Sequence, residues 1–310
     1  MTIEQYTPSL ADEWDEAVKA SRNGTFLHLR AYMDYHSDRF ADCSLLARDD
    51  KGRVIALLPA HAQGEVVASH RGLTYGGWLM TARADAEAML EVWQLAAAHY
   101  ASLGFKTMLY RPAPHIYHKY PAEEDLYALY RAGGRLDASL ISSVIYNAAP
   151  LGFDMAARQS VRKAQKEGVE VGISDDWEGF WQVLSALLRE RHNASPVHTL
   201  DEIKLLHSRF PENIRLYTAT LNGHILAGVV VYVTDTVAHS QYAATTAEGR
   251  QLRTLPLLYN KIIADYAHLP YFDFGTSNED GGRVLNTGLI RQKCGFGARG
   301  VVYNTYSIDL

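Results

Sequence analysis

The second half of this chain repeats the plan of its first half at an offset of about 170 residues. In the first copy, apolar runs at 44–47 and 54–60 flank the turn Asp49-Asp50-Lys51-Gly52. A run through Gly72-Leu73-Thr74-Tyr75-Gly76-Gly77 follows, then a helical stretch over 84–103 and an apolar run at 105–110. In the second copy, 214–220 and 225–233 flank Leu221-Asn222-Gly223-His224. Residues 237–244 follow, then a helical stretch over 255–268 and the run Tyr271-Phe272-Asp273-Phe274-Gly275. Gly52 maps to Gly223, Tyr75 to Tyr242 and Phe105 to Tyr271. This order predicts an α/β protein of two duplicated units, with a cleft between pseudo-symmetric halves as a common place for a ligand.

Composition fixes the broad class. A chain of 310 residues can hold two domains with separate cores, and its 47% apolar and 21% charged content is that of a globular protein. No run approaches the roughly 18 apolar residues of a membrane span. Met1-Thr2-Ile3-Glu4-Gln5 has neither a basic start nor an apolar signal core. Cys43 and Cys294 are too few for a disulfide framework and suit a reducing compartment, so the expectation is a cytoplasmic protein. A net charge of −5 argues against broad nucleic-acid binding, DNA included, because phosphate contacts need clustered Lys and Arg.

Local signals place the elements. Leu10, Trp14, Ala17 and Val18 share one face of a helix over 10–21, and a second helix is expected over 29–37. Gly52 supplies the positive φ of a tight hairpin turn. Ala86, Met89, Leu90, Trp93, Ala97 and Tyr100 form a helical stripe closed by Gly104. Pro112 and Pro114 end the strand that follows. Residues 136–146 read as a strand leading into the second unit, so the units are expected at 1–134 and 135–310. A short basic helix over 155–166 ends at Gly168. A strand over 169–173 and an amphipathic helix over 177–191 come next, and Thr199 caps a further helix. Residues 301–310 alternate as a C-terminal strand.

The order hairpin, third strand, helix, strand, helix, strand resembles the Gcn5-related N-acetyltransferase (GNAT) fold. Two such units in tandem are similar to the FemAB-like branch of that superfamily, whose members transfer acyl or aminoacyl groups. Four segments carry the resemblance: Tyr75-Gly76-Gly77, the basic stretch Arg158-Gln159-Ser160-Val161-Arg162-Lys163-Ala164, the strand Phe272-Asp273-Phe274-Gly275-Thr276-Ser277, and Lys293 before Gly295-Phe296-Gly297. The resemblance implies two tandem units, each a mixed, mostly antiparallel sheet flanked by helices. It implies acyl-CoA as donor, with acetyl-CoA the simplest case, and a small amino-sugar or amino-acid amine as acceptor. An aminoacyl-tRNA-dependent transferase acting on a cell-wall precursor or a protein terminus is the alternative, as is a binding protein whose donor site has decayed. No sustained heptad run is present for a coiled-coil arm of the kind that aminoacyl-transferring members often carry. Where acetyl-CoA-dependent members have a glycine-rich turn, this chain has Glu248-Gly249-Arg250-Gln251-Leu252-Arg253-Thr254, with one glycine and two arginines. The second unit is therefore the expected donor unit, with Arg250, Arg253, Thr254 and Asn278 toward the donor.

Direct acyl transfer needs a deprotonated amine, a stabilised oxyanion and a protonated leaving group, but no covalent nucleophile. In the fold that the chain resembles, donor and acceptor meet where the fourth and fifth strands of a unit splay apart. Asp273 alternates with Phe272 and Phe274 and faces away from the side they bury, which makes it the candidate base or amine-orienting carboxylate. Tyr242, near His239 on the fourth strand, is the candidate acid, and Lys293 the candidate oxyanion or phosphate partner. Tyr75, Arg158, Arg162, Ser277 and Glu279 are candidates for holding the acceptor. His115 and His118 have a ligand-like spacing but lack a third strong ligand nearby, so no metal is expected.

Overall fold

The computed structural model describes residues 1–192 and 194–310. They divide into two compact units. The first comprises 1–141, 278–284 and 302–310; the second comprises 142–277 and 285–301. Neither unit is a single stretch of chain, because the strand Arg135–Tyr146 and the C-terminal strand Arg299–Asp309 are each divided between them.

In the first unit, Thr2–Gln5, Leu45–Arg48, Val54–Leu58 and Leu79–Met80 form an antiparallel sheet. Gly52, at φ 76°, turns the hairpin. Val66–Ala68 pairs in parallel with Thr107–Tyr110, and the helix Ala86–Ser102 makes the crossover between them. Asp85 caps that helix by accepting from the Ala88 amide at 2.9 Å. The expected helix over 29–37 is shorter, a single turn Arg30–Met33 followed by a 3-10 turn. Tyr75 lies in the segment after Val66–Ala68 rather than on a strand, so its match to Tyr242 is one of sequence order only. The core is aromatic, with Trp78, Trp93, Tyr100 and Tyr110 all at most 2% exposed.

The elements of the second unit are labelled from here on. They are β1 (Arg135–Tyr146, from Ser142 onward), α1 (Met155–Lys166), β2 (Glu170–Ile173), α2 (Trp177–His192) and α3 (Leu200–Arg209). Next come β3 (Ile214–Leu221), β4 (His224–Val233), β5 (Val237–Thr245), α4 (Ala247–Leu252), α5 (Thr254–Asp265), β6 (Tyr271–Thr276) and α6 (Thr287–Gly295). The sheet runs in the order β2-β3-β4-β5-β6-β1, antiparallel except for β5 and β6. Gly223 turns the β3–β4 hairpin at φ 79°, as Gly52 does in the first unit. Thr199 caps α3 in a reciprocal capping box with Glu202.

Alternation along β4 separates the two faces of this sheet. Ala227, Val229 and Val231 join the cluster built on Val161 of α1 and Leu258 and Ile262 of α5. Gly228 faces the other way, against Phe180 of α2; a Cβ there would stand 2.2 Å from the phenyl ring, so only glycine lets α2 approach so closely. The sheet is thus covered by α1 and α5 on one face and by α2 on the other.

One buried carboxyl in the first unit sets a pH dependence. Tyr110 Oη donates to Asp125 Oδ2, the Leu126 amide donates to Oδ1 at 2.8 Å, and Asp125 is 2% exposed. Burial raises its pKa from 3.8 to about 7. The unfolded chain releases this proton near pH 4 and the folded chain only near 7, so between those values the folded state holds more protons. Stability therefore falls as pH rises through that window, by on the order of 4 kcal/mol from this group. Asp125→Asn should remove that contribution, so the variant-minus-parent difference in unfolding free energy should rise from pH 4 to 7. A flat difference in denaturant titrations would mean that Asp125 is already ionised in the fold.

Candidate active site

The parallel ladder between β5 and β6 has three rungs: Val237↔Tyr271, Ala238↔Phe272 and His239↔Asp273. Beyond the last rung the two strands part, β5 running on to Thr245 while β6 ends at Thr276. Gly275, at φ 76°, turns the chain there in a conformation that favours glycine. A bulge in β5 adjoins the same point, because Val230 pairs with Tyr242 and Val231 with Ser240, leaving Gln241 as the extra residue. That extra residue shifts the strand's phase. Ser240 meets Tyr259 of α5 at 3.0 Å, whereas Tyr242 packs edge-on to Trp181 of α2. His239 and Tyr242, three residues apart, are thereby brought to the same face.

A cavity of about 720 Å³ lies in the second unit, lined from α1, α2, β5, the α4–α5 segment and α6. Its walls are small and apolar: Ala156 and Ala157 from α1, Ala243 and Ala244 from β5, Gly288 from α6, with Leu255 and Phe296. Its cations are Arg250, Arg253 and Arg291, joined by the polar Ser160 and Gln292. The stretch expected to be a phosphate loop forms the short helix α4, capped by Thr246, whose hydroxyl accepts from the Gly249 amide at 3.0 Å. Arg253, at φ 62°, joins α4 to α5. Arg250 donates to the Thr245 carbonyl at 3.2 Å, and Lys163 of α1 donates to the Gln251 carbonyl at 2.9 Å. Amides that a glycine-rich turn would offer to an anion are spent inside α4, which leaves anion recognition to the guanidinium groups.

Behind the parting strands sits a buried polar cluster. Asp273 is fully buried and accepts from Ser142 Oγ, from the Gly275 amide at 2.8 Å and from His239 Nδ1 at 3.0 Å. Lys293, 7% exposed, donates to the carbonyls of Gly275 and Thr276 at 2.7 and 2.9 Å. Burial lowers its pKa from 10.5 to about 8, opposed by the charge of Asp273. Tyr242 Oη lies 2.6 Å from His198 Nδ1, and burial pushes the phenol up to about 12.

The residues singled out from sequence separate into groups. Arg250 and Arg253 line the cavity. Thr254 is buried and donates to the Gly249 carbonyl at 3.2 Å, so it braces the loop from behind. Asp273, Lys293 and Ser277 are buried at the end of β6, and Tyr242 stands on the α2 face of β5. Asp273 faces away from the cluster that holds Phe272, as alternation suggested, and is fully buried there beside His239. Arg158 and Arg162 occupy the exposed side of α1, away from the small residues that line the cavity. Asn278 belongs to the first unit, where it accepts from the Ile141 amide at 2.6 Å; Glu279 is exposed in that unit. Tyr75 is 1% exposed in the first unit's core, against Tyr117 and His28. Of the residues not given a role from sequence, the structure adds Ser142, Arg291 and the pairing of His239 with Asp273. Among the described residues, no group of three or more His, Cys, Asp or Glu side chains could hold a metal ion. No helix among them is long and apolar enough to cross a membrane.

Residues 155–280 match the acetyltransferase (GNAT) domain family. The solved structure of FemX is similar over 100% of this chain and 98% of its own, with a TM-score of 0.70 and 14% identity. The stretch 155–280 thus matches a GNAT domain, and the chain as a whole shares the fold of that structure. L-PGS from Bacillus licheniformis is similar over 97% of this chain and 91% of its own, with a TM-score of 0.63 and 10% identity. A tandem GNAT protein of the clavulanic acid biosynthesis pathway covers 99% and 98%, with a TM-score of 0.53 and 12% identity. No curated protein sequence matches the chain. At these identities the structural likenesses show the fold alone and leave activity and substrates to the site.

The α4 turn gives a direct test of the cavity wall. A Cβ on Gly249 would stand 2.3 Å from the Leu226 carbonyl oxygen and 2.6 Å from Thr245 Oγ1. Since Leu226 is backbone, the loop itself must move. Gly249→Ala is expected to cost about 1–3 kcal/mol in thermal or denaturant unfolding. An unchanged stability would show that the loop is looser than its hydrogen bonds indicate.

Proposed function

We propose that the chain is an N-acyltransferase that carries an acyl group from acyl-CoA to the amine of a small amino-sugar or amino-acid acceptor. The carrying observation is the cavity of the second unit, whose small-residue walls are joined by three arginines. A slim donor arm of thioester, amides and methylenes suits walls of Ala156, Ala157, Ala243 and Ala244. The donor's phosphates suit Arg250, Arg253 and Arg291. β5 leads from this cavity to the parting of β5 and β6, the place where the thioester would meet the amine. Peptide groups of β5 beyond His239 lie past the end of the ladder with β6, and the bulge at Gln241 re-aims them. They supply donors of the kind that stabilise a developing oxyanion.

In this reading no covalent intermediate forms on the protein. The acceptor nitrogen attacks the thioester carbonyl carbon, the C–N bond forms, the C–S bond breaks, and the thiolate leaves as a protonated thiol. Lys293 acts as a positioning residue, tying down the two carbonyls where β6 ends and keeping the strands apart. Tyr242 and Ser277 stand close to the same strand ends; a proton on the Tyr242 phenol, held by its high pKa, suits a group that protonates a leaving thiolate. Arg158, Arg162, Glu279, Asn278 and Tyr75 receive no role in the transfer itself.

Thermal melting with acetyl-CoA, longer acyl-CoAs, free CoA and charged tRNA tests the donor assignment, because a ligand bound only by the folded state raises the midpoint. Acyl-CoA should raise it, and Arg250→Ala with Arg253→Ala should weaken that binding by roughly ten-fold or more through the lost charge-assisted contacts. A shift with charged tRNA alone would assign the aminoacyl-transferring alternative. No shift with any of the four would favour a binding protein with a decayed donor site.

A further inference from the structure

The proposed transfer needs a group to take the amine's proton, and Asp273 is badly placed for it. Its carboxylate is fully buried, and its two oxygens already accept from Ser142 Oγ, the Gly275 amide and His239 Nδ1. His239 is different. It occupies the last rung before β5 and β6 part, on the same face of β5 as Tyr242 and as Ala244, which lines the cavity. Its ring lies along Gly275, with Cε1 and Nε2 at 3.4 and 4.0 Å from where a Cβ on that glycine would stand. The glycine at the strand end therefore leaves room for the imidazole, and the edge bearing Nε2 is turned to the point of parting.

From this arrangement we infer that His239 is the general base of the acyl transfer and that Asp273 is its positioning residue. The inference rests on the acyltransferase reading given above. An ionised Asp273 carboxylate can only accept, so in the base form of the imidazole the 3.0 Å contact puts the proton on Nδ1. The lone pair is then on Nε2. As the acceptor nitrogen bonds to the thioester carbon, its proton passes to Nε2, and the imidazolium is held by Asp273. When the C–S bond breaks, the Tyr242 phenol gives its proton to the thiolate and is reprotonated by the imidazolium through solvent, giving amide and free thiol. The other groups that bear on His239 are Lys293 of α6, Ser142 of β1, its ladder partner Tyr232 on β4, and Tyr242 farther along β5. Spacing in the sequence could not reveal the pair, since the two residues stand 34 positions apart on parallel strands.

The test compares the full chain with His239→Gln and Asp273→Asn. Thiol release from acetyl-CoA is followed with a panel of amino sugars and amino acids, and donor binding is followed by melting shift. His239→Gln should keep the acetyl-CoA melting shift and the donor KM, while kcat falls about 100-fold or more. The acid limb of the parent's kcat/KM profile should coincide with the titration of the His239 Cε1 proton by NMR and be absent from the variant. Asp273→Asn should cost a similar factor, with little further loss in the double variant, because the two act as one unit. The inference is overturned by a His239→Gln protein that binds acetyl-CoA and retains the parent rate and acid limb. Should the panel contain no acceptor, the His239 resonance must still move on adding acetyl-CoA and not CoA; an unmoved resonance rejects the role. A parent protein that binds no acyl-CoA defeats the acyltransferase reading itself, a result visible before any variant is compared.

Discussion

The structure of the second unit depends on a parallel ladder that stops after three rungs. Two parallel strands joined by a crossover helix would ordinarily continue side by side, since each lost rung leaves peptide groups to be satisfied elsewhere. Here several contacts replace the missing rungs. Gly275 turns out of the strand direction, Lys293 takes the carbonyls of Gly275 and Thr276, and Asp273 takes the Gly275 amide. A buried lysine is itself costly, as the lowering of its pKa to about 8 shows. The fold tolerates that cost at the point where two strands must be kept from closing. The bulge at Gln241 and the His239–Asp273 pair adjoin this gap.

Much of the fold was legible in the sequence because it is written in local signals. Gly52 and Gly223 mark equivalent hairpin turns, Thr199 with Glu202 marks a helix start, and the apolar spacing of 155–166 gives α1 to the residue. Duplication is likewise a matter of order, which survives in both units as hairpin, crossover helix and parallel strand. What could not be read was anything set by register. The rung joining His239 to Asp273 depends on how α5 returns the chain, and the bulge that turns Tyr242 toward α2 has no sequence mark of its own. The assignment of 278–284 to the first unit is of the same kind. It places Asn278, expected toward the donor, and Glu279, expected toward the acceptor, in the first unit.

The arginines of α1 show how helix phase separates charge from space. Arg158 and Arg162 lie one turn apart on α1, and from sequence they are candidates for holding the acceptor. Yet α1 packs through Ala157, Val161 and Ala164, and offers Ala156 and Ser160 to the cavity. That leaves the two arginines on the outer side. The wheel was available from the sequence, but the charges drew the reading and the small residues did not. Small residues were the better guide, because a cavity must be lined by side chains that leave space.

The same reasoning bears on how a GNAT-fold chain can bind an anion without a glycine-rich turn. Backbone amides make a strong cradle only when they are not engaged in the chain's own hydrogen bonds. In this chain Thr246 and the α4 turn consume those near Gly249, and Gly249 is held against the Leu226 carbonyl by lack of room. Guanidinium groups can do the same electrostatic work from longer stems, with five donors each and no dependence on loop conformation. The exchange has a consequence for selectivity. A backbone cradle fits one phosphate geometry closely, whereas three arginines from α4, the α4–α5 joint and α6 define a charge and a span. In the proposed reading, side chains rather than a backbone cradle hold the donor's phosphates in this unit.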